Sequence, residues 1–216
     1  MDDTTVVIRA YQKEDKEMVR RIAVDTSFFG DSGEVYLPDR EVLGDMLTAY
    51  YLDYEPESAF VAESDDKVIG YLMGCLDTAR EQQITGKKII SGVIWKGLRR
   101  GLLFKANTIR FVFSSIRSLI RGEFRRPDFS KEYPAHLHIN ISRSFRGRGI
   151  GTRLIQAFLL KLAGKKVKGV CAWTFTDGGK KLFERTGFNL VFSRQVTYFD
   201  YLLHKVVMLD CWGKKF

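Results

Sequence analysis

The sequence predicts a single α/β domain in which a mixed sheet of six to seven strands carries helices on both faces. Apolar runs of strand length alternate with apolar stripes at helical spacing along the 216 residues. A strand–helix–strand unit stands in the second half of the chain, and such units form parallel crossovers. Hydrophobic residues make up 45% of the chain, which is enough for one core.

The first half of the chain opens with the strand pattern TTVVIRAYQ and continues with two helical patterns, over about residues 14–24 and 39–51. The stretch SAFVAESDDKVIGYLMGCLDT then holds two apolar runs on either side of residues 64–67. Such a pair of runs around a short polar turn predicts a β-hairpin.

The second half repeats this alternation after a basic segment at residues 80–130. Its predicted elements are strand 134–142, helix 149–163, strand 168–175, helix 178–186, strand 189–201 and strand 205–212. We therefore predict one domain over 1–216, with a core of 1–79 and 131–216 and a helical insertion at 80–130.

The insertion holds the positive charge of the protein. The net charge is +9, and the stretch from Lys87 to Arg126 contains eleven cations against one anion, Glu123. Over residues 102–121 one helical face is apolar and the other is basic or polar. The apolar face holds Leu102, Ala106, Ile109, Phe113, Ile116 and Ile120, and the opposite face holds Arg110, Ser114, Arg117 and Arg121.

Several roles suit a basic amphipathic helix. The interpretation we favour is that its apolar face covers the main domain while its cations are solvated. It could also act as a lid on the acceptor side of a cleft, where its charge would favour acidic or phosphorylated acceptors. Contact with an anionic membrane surface is a further interpretation. Nucleic acid is disfavoured, because no zinc, helix-turn-helix or stacking signature accompanies the charge.

Other features of the sequence exclude several protein classes. Cys75, Cys171 and Cys211 are dispersed in apolar runs without CxxC spacing, which indicates reduced, buried thiols and no metal site. The N-terminus lacks a signal-peptide pattern, and no run of 18 apolar residues occurs. We therefore expect a cytoplasmic protein without a transmembrane span. The oligomeric state stays open.

The segment FRGRGIGTRL, residues 145–154, combines glycines and arginines at the start of a helix. The apolar spacing that follows predicts a helix from about Gly149 to Gly164. A helix N-terminus offers unpaired N–H groups and a partial positive charge, and glycines let an anion approach them closely. The segment fits neither the P-loop nor the GxGxxG dinucleotide motif.

What does fit is R-x-x-G-x-G, formed by Arg146, Gly149 and Gly151. With the strand before it and the helix after it, this motif resembles the pyrophosphate-binding motif of the GCN5-related N-acetyltransferase superfamily. The later stretch KKLFERTGFN resembles that family's second acetyl-CoA helix and its closing turn. The order of elements resembles the family over the chain outside residues 80–130.

The resemblance implies that acetyl-CoA lies in a V-shaped split between strands 134–142 and 168–175. Pantetheine would pair with the backbone of Ile139, Asn140 and Ile141, and a helix that begins near Asp177 would face the tail of the cofactor. An acceptor amine, unidentified from the sequence, would attack the thioester directly. The pyrophosphate would lie on the amides of Arg146, Gly147, Arg148, Gly149, Ile150, Gly151 and Thr152.

The sequence departs from the family pattern at the catalytic positions. Phe183 stands where many members carry the tyrosine that protonates the thiolate. Asp177 stands where many carry asparagine, and no glutamate occurs near Ala172. The resemblance therefore leaves the general acid and base unassigned, and Phe183 keeps only a cofactor-facing position.

Four residues are the substitutes we consider for proton transfer. Strand alternation places His136, His138 and Asn140 on one face, and histidine accepts protons near neutral pH. The histidines could equally be packed polar residues with backbone partners. Glu132 is a further candidate base, or a solvated loop charge, and Tyr198 is a candidate acid, or a core aromatic residue. Asp177 could also be a helix N-cap.

Two functional classes follow from the sequence. The first is an N-acetyltransferase that moves the acetyl group of acetyl-CoA to a primary amine. The second is a non-catalytic acyl-CoA-binding module that uses its basic helix to dock a partner or an anionic membrane. The missing tyrosine and glutamate favour the second class, and the glycine motif is compatible with both.

Overall fold

The computed structural model of the chain describes residues 5–125 and 127–216. The strands are β1 Val7–Ala10, β2 Ala59–Ser64, β3 Lys67–Cys75, β4 Ala135–Ile141, β5 Gly169–Thr174, β6 Asn189–Val196 and β7 Val207–Lys215. The helices are α1 Lys16–Thr26, α2 Arg40–Asp53, α3 Thr78–Ile84, α4 Ile90–Arg99, α5 Ala106–Ile120, α6 Ile150–Ala163, α7 Asp177–Arg185 and the short α8 Asp200–Leu203. A π-helical stretch, Thr85–Ile89, joins α3 to α4.

The strands form one open, seven-stranded sheet in the order β1-β2-β3-β4-β5-β7-β6. Strands β4 and β5 are parallel, and α6 is the crossover between them. The other neighbouring strands are antiparallel. The predicted mixed sheet and the parallel unit at its centre are therefore confirmed.

The two parallel strands separate after a short contact. Their pairing runs from Ala135 opposite Val170 to Leu137 opposite Ala172. Beyond that point β4 continues to Ile141 and β5 to Thr174 without pairing to each other. The result is the V-shaped split that we expected between these strands.

Helices cover both faces of the sheet. Leu72 of β3 packs in a cluster with α6, which contributes Leu154 and Phe158. The adjacent Met73 packs in a second cluster with α1 and α2, which includes Val19 and Tyr51. Because successive side chains of a strand point to opposite faces, the two clusters lie on opposite sides of the sheet.

The strand predicted over 189–201 is shorter in the structure, because the insertion binds the end of it. Strand β6 ends at Val196. The next residue, Thr197, donates its backbone N–H and its hydroxyl to the carboxylate of Glu123, at 2.7 Å each. Asp200 pairs with Arg117 at 2.5 Å. These contacts divert the chain from the sheet into the helical turn of α8.

The insertion is helical as predicted, but α5 packs with the opposite face. Ser114 and Ser118 are buried, whereas Phe113, Ile116 and Ile120 are exposed. The face of α5 that meets the main domain is of mixed character: Arg117 pairs with Asp200, and Phe111 packs on Tyr36 and Phe199. The interpretation that the apolar face covers the domain is therefore wrong for α5, although Leu102 just before it is buried.

The described residues contain no helix long and apolar enough to cross a membrane. Within residues 5–125 and 127–216, no group of three or more His, Cys, Asp or Glu side chains is placed to hold a metal ion. Cys75, Cys171 and Cys211 are all buried, as the sequence predicts.

Candidate functional site

A cleft of about 1460 Å³ opens where β4 and β5 part. Its walls come from the diverging strands, the N-terminal ends of α6 and α7, the α3 segment and the loop at residues 127–130. The cleft is therefore the space that the split in the sheet creates.

The edge of β4 presents backbone groups to the cleft. The N–H of Ser142 donates to the carbonyl of Ile69, with 2.8 Å between nitrogen and oxygen. The backbone polar groups of Ser142 therefore point toward β3. Backbone polar groups alternate in direction along a strand. Ile139 and Ile141 therefore direct theirs into the split, while Asn140 directs its backbone toward its β3 partner Tyr71.

This geometry refines the three residues predicted to pair with pantetheine. Ile139 offers both its N–H and its carbonyl to the split. The carbonyl of Ile141 already accepts from Arg146 Nε at 3.0 Å. Only the N–H of Ile141 is therefore left to face a ligand in the split. Asn140 lines the cleft through its side chain, whose Nδ2 donates to the hydroxyl of Tyr71 at 2.8 Å. The prediction of backbone pairing at Asn140 does not suit the register.

The glycine loop lines the cleft in a left-handed backbone conformation. Gly147 and Gly149 have φ values of +79° and +75°, in the left-handed region that glycine adopts at low cost. A Cβ at either position would meet nothing within 4 Å. Gly149 is the N-cap of α6 and provides no side-chain cap, so the first N–H groups of the helix need an external acceptor. Ile150 and Thr152 follow in this first turn and also line the cleft.

Gly151 has a different role from the other two glycines. A Cβ at this position would lie 2.9 Å from Leu182 Cδ2 and 3.4 Å from Ile141 Cδ1. The absence of a side chain at Gly151 therefore allows α6, α7 and β4 to approach closely. The sequence motif marks this glycine but does not separate its packing role from anion binding.

The two arginines of the loop hold it in place. The guanidinium of Arg146 donates to the carbonyls of Ile141 and Gly30, at 3.0 Å each. Arg148 lies over the ring of Phe145, with the guanidinium carbon 5.2 Å from the ring centre, and its side chain is exposed outside the cleft lining. Both arginine side chains thus contact the loop or its neighbours, and Arg146 also lines the cleft.

The start of α7 differs in detail from the prediction. Thr176 is its N-cap, because its hydroxyl accepts from the N–H of Gly179 at 3.1 Å. The expectation that Asp177 caps the helix is therefore wrong, and its exposed side chain lies outside the cleft lining. Phe183 is buried and packs on Phe188, with ring centres 5.5 Å apart, and it lines the cleft as the sequence prediction placed it.

His136 is held by two hydrogen bonds. Its Nδ1 lies 2.8 Å from Thr78 Oγ1, and its Nε2 lies 2.8 Å from the hydroxyl of Tyr51. Thr78 gives its one hydroxyl hydrogen to the carbonyl of Pro134, so it accepts from Nδ1–H. Nε2 therefore carries no proton and accepts from Tyr51.

The environment keeps His136 neutral. Burial, and secondarily the neighbouring His138, lower the pKa of His136 to about 3. Burial also raises the pKa of the Tyr51 phenol, which keeps it a donor. With both ring nitrogens engaged, His136 is a structural residue, and we do not retain it as a catalytic base.

His138 stands next to His136 on the same face of β4 and is exposed to the cleft. Its ring packs on the edge of Tyr51, with centres 5.2 Å apart, and lies 5.7 Å from the ring centre of His136. Its position is one residue before Ile139, the backbone of which faces the split. Both histidines line the cleft, and His138 is the exposed one of the two.

The other two predicted proton-transfer residues differ in position. Glu132 is exposed and forms an ion pair with Lys215 at 2.5 Å. It lies outside the cleft lining, which agrees with the interpretation of a solvated loop charge. Tyr198 lines the cleft and is largely buried. Its ring stacks on Phe124 of the insertion, with centres 5.2 Å apart. Tyr198 and His138 thus both line the cleft, and Glu132 does not.

Glu81 is a cleft residue that the sequence prediction missed. It lies on α3, lines the cleft near Tyr51, and accepts from the hydroxyl of Thr85 at 2.7 Å. Burial raises the pKa of its carboxyl group. The sequence did hold a signal for this helix, the capping residue Asp77. Its carboxylate accepts from the N–H of Arg80 and marks the start of α3 directly after β3.

No family model matches the sequence. Among solved structures, the chain is similar to SsHAT, with a TM-score of 0.70, 24% identity and 98% of each chain covered. It is also similar to an N-acetyltransferase from Staphylococcus aureus Mu50, with a TM-score of 0.59, 16% identity and 98% of this chain and 99% of that chain covered. A Salmonella typhimurium protein solved with its cofactor acetyl-CoA gives a TM-score of 0.58 at 11% identity, with 98% of this chain and 94% of that chain covered.

These similarities extend over nearly the whole chain, and the matched structures share one fold. The chain therefore has the fold of the GCN5-related N-acetyltransferases, which confirms the resemblance inferred from the glycine motif.

Proposed function

We propose that the protein transfers the acetyl group of acetyl-CoA to a primary amine by direct attack of the amine on the thioester. One observation carries this proposal: the unpaired edge of β4 leads into a left-handed glycine loop and a helix N-terminus within one cleft. The first feature suits an amide-containing chain, and the second suits a pyrophosphate. Pantetheine and pyrophosphate are joined in this order in coenzyme A.

The residues present fit acetyl-CoA in three ways. Ile139 offers a peptide-like donor and acceptor to the pantetheine arm. Gly147 and Gly149 leave open space at the amides that would receive the pyrophosphate. The N-terminal turn of α7, with Thr176 and Gly179, also lines the cleft and offers further backbone groups to the cofactor.

The reaction requires two proton transfers. The nitrogen lone pair of the amine forms a bond to the thioester carbonyl carbon, and the carbon–sulfur bond breaks. The amine nitrogen loses a proton to a base, and the departing thiolate gains one from an acid. A general acid or base of this kind contributes about 100- to 10,000-fold to the rate.

We assign the base to His138, acting directly or through one water. It faces the cleft beside the exposed backbone of Ile139, and it packs against Tyr51, which fixes the position of its ring. His136 is excluded from this role by its two hydrogen bonds.

We assign the acid to Tyr198, because Phe183 has no proton to give and Tyr198 brings a phenol to the cleft from the end of β6. The ring is packed between the insertion and the β5 end, with Phe175 in edge contact at 6.1 Å between ring centres. Packing of this kind restricts the phenol to one orientation.

The acceptor is an amine that Glu81 attracts. Two parts of the insertion line the cleft: the loop at residues 127–130, and α3 with the π-helical stretch, which contributes Glu81, Gln82 and Thr85. A carboxylate there favours a cationic ammonium group, which must release one proton to solvent to become the neutral amine that attacks the thioester. This supports a basic amine acceptor, in place of the acidic or phosphorylated acceptor that the charge of the whole insertion suggests.

A second candidate function is a non-catalytic acyl-CoA-binding module. The observation that favours it is Phe183, which is buried in the core and replaces the family's tyrosine acid. Such a module would bind acetyl-CoA in the same cleft and release no thiol.

A thiol-release assay separates the two functions. Acetyl-CoA would be incubated with the protein and a panel that holds a polyamine, a small monoamine, an amino sugar and a lysine peptide. The enzyme proposal expects amine-dependent release of coenzyme A with at least one member, strongest for the polyamine, which carries the most positive charge. Binding of acetyl-CoA by calorimetry without release across the panel would support the binding module.

A further inference from the structure

The two long helices of the insertion expose their apolar faces to solvent. On α4 the exposed apolar side chains are Ile90, Ile94, Trp95 and Leu98, and Trp95 is 63% exposed. On α5 they are Ile109, Val112, Phe113, Ile116, Leu119 and Ile120, with Phe113 at 72% and Ile120 at 81%. Phe104, in the connection between the helices, is 90% exposed.

The polar faces of the same helices are turned toward the main domain. Lys96 of α4 binds Asp45 of α2 at 2.6 Å. Arg117 of α5 binds Asp200, and Ser118 lies 3.4 Å from the hydroxyl of Thr197. These ion pairs and hydrogen bonds orient both helices, so the exposed apolar faces are a consequence of how the insertion is attached. A surface helix of a globular protein ordinarily packs the other way.

Cations surround the exposed apolar faces, and neither α4 nor α5 contains an aspartate or glutamate. Two of these cations, Lys96 and Arg117, form ion pairs with the main domain. Arg99, Lys105 and Arg110 remain exposed. An apolar surface with an aromatic residue such as Trp95 and flanking cations is typical of helices that lie in the headgroup region of an anionic bilayer.

We propose that the outward face of α4 and α5, with Phe104 between them, docks on the surface of an anionic lipid bilayer. The exposed leucine, isoleucine and aromatic side chains would enter the boundary between headgroups and acyl chains. The exposed lysines and arginines would meet the lipid phosphates. The cleft is lined by α3 and not by α4 or α5, so acetyl-CoA could bind while the protein is docked.

Charge complementarity selects the bilayer over a second copy of the chain. Residues 87–126 hold eleven cations and one anion, and a symmetric contact through this face would bring two such segments together. Like charges at that density oppose association. An anionic bilayer supplies both the apolar phase and the opposite charge.

Vesicle flotation tests the proposal. The full-length protein would be mixed with vesicles of phosphatidylcholine alone, or of phosphatidylcholine with phosphatidylserine, and centrifuged through a density gradient. We expect flotation with the anionic vesicles only. The double variant Lys105→Gln, Arg110→Gln should lower the partition coefficient about fivefold for each lost cation. Raised salt should weaken binding in the same direction.

An apolar variant and its matched control test the contribution of the apolar side chains to vesicle binding. Phe113→Ser combined with Ile120→Ser should lower partitioning at least tenfold, since about two large apolar side chains leave the lipid. Leu160→Ser on α6 removes another side chain that is 76% exposed and should leave flotation unchanged. The side chains changed in the two variants are exposed, so we expect both variants to fold. Circular dichroism checks this.

The signal of Trp95 gives an independent readout. Its fluorescence should shift to shorter wavelength on addition of anionic vesicles, and the shift should vanish in Trp95→Phe. The proposal is overturned if the wild type stays at the bottom of the gradient with anionic vesicles, or if the Phe113, Ile120 variant floats as well as Leu160→Ser. A dimer in sedimentation velocity that this variant abolishes would show that a second copy covers the face instead, and would also overturn it.

Discussion

The imidazole Nε2 of His136 lies 2.8 Å from the phenolic oxygen of Tyr51, although 85 positions separate the two residues along the chain. The same tyrosine ring carries His138 on its edge, with ring centres 5.2 Å apart. Tyr51 therefore links a buried neutral histidine to the histidine that faces the cleft. The pair of histidines on β4 therefore divides into one buried residue and one that is exposed to the cleft.

The buried histidine should make the protein less stable in mild acid. The pKa of His136 is about 3 in the folded chain, against about 6.5 for an unfolded histidine. Between these values the unfolded chain binds the additional proton, so the free energy of unfolding falls as pH drops below about 6.5. We expect a loss of about 2 kcal/mol between pH 7 and pH 5 from this residue. Urea denaturation at several pH values measures it.

His136→Gln should remove that pH dependence and lower stability at pH 7 by about 1–3 kcal/mol, because a buried partner is left unsatisfied. His204→Asn is the matched control, since His204 is exposed in a left-handed conformation that asparagine tolerates. The control should keep the acid-dependent loss. An unchanged slope in His136→Gln would contradict the assignment of the slope to this histidine.

His138→Gln should act on the rate and not on the fold. Glutamine keeps the approximate size and hydrogen bonding of histidine but does not titrate near neutral pH. If His138 is the base, we expect kcat to fall by about 100-fold or more and the acidic limb of the pH–rate profile to disappear. A fall of less than about threefold, with the acidic limb retained, would assign proton removal to water. Binding of acetyl-CoA should be unchanged in calorimetry.

Glu81→Gln should separate acceptor binding from proton removal. The glutamine still accepts from Thr85, but it no longer attracts an ammonium group. We expect KM for a cationic amine to rise about tenfold, the order of one charge-assisted hydrogen bond, with kcat changed little. Since burial raises the pKa of Glu81, KM of the wild type should also rise as pH falls and the carboxylate is protonated. Glu184→Gln, on an exposed position of α7, is the matched control and should leave KM unchanged.

The local parts of the site could be predicted from sequence because their geometry depends on neighbouring residues. Alternation along β4 places His138 and Ile139 on opposite faces, and the glycines at 147 and 149 adopt the left-handed conformations that a helix start with open amides requires. The parallel β4–α6–β5 unit follows from the order of its elements. None of these inferences needs a contact between distant segments.

The remaining parts depend on contacts that a single sequence does not specify. Thr78 and Tyr51 fix His136 from 58 and 85 positions away, so the burial of that histidine could not be predicted from the strand alone. The apolar stripe of α5 predicts an amphipathic helix but not which face meets the domain. On the inward face, Arg117 and Ser118 meet Asp200 and Thr197, which lie 83 and 79 positions later in the chain.

Tyr198→Phe tests the proposed acid. The ring packs on Phe124 and Phe199, so phenylalanine should preserve the fold and the affinity for acetyl-CoA. We expect kcat to fall by about 100-fold with the basic limb of the pH–rate profile altered. The loss should shrink if an acyl donor with a more acidic leaving thiol replaces acetyl-CoA, because such a thiolate needs no proton. Equal loss with both donors would indicate a packing role for Tyr198.

Gly149→Asp tests the anion site. The residue caps α6 with φ at +75° and faces open space, so an aspartate fits sterically but places a carboxylate where the pyrophosphate would lie. Each hydrogen bond to a charged phosphate contributes about 1.5–3 kcal/mol, so losing one or two of them should weaken acetyl-CoA binding by at least tenfold in calorimetry. Dephospho-coenzyme A, which retains the pyrophosphate, should lose affinity by a similar factor.

Gly122→Asp controls for the strain that any side chain would bring to such a backbone. Gly122 has φ at +73° and stands in the insertion, outside the cleft lining, so aspartate there adds comparable strain and the same charge. We expect the two variants to lose similar stability in urea, since strain of this kind costs about 1–2 kcal/mol in either place. Only Gly149→Asp should lose affinity for acetyl-CoA. Wild-type affinity in a folded Gly149→Asp protein would show that the pyrophosphate binds elsewhere, because electrostatic repulsion at the helix N-terminus would then be absent.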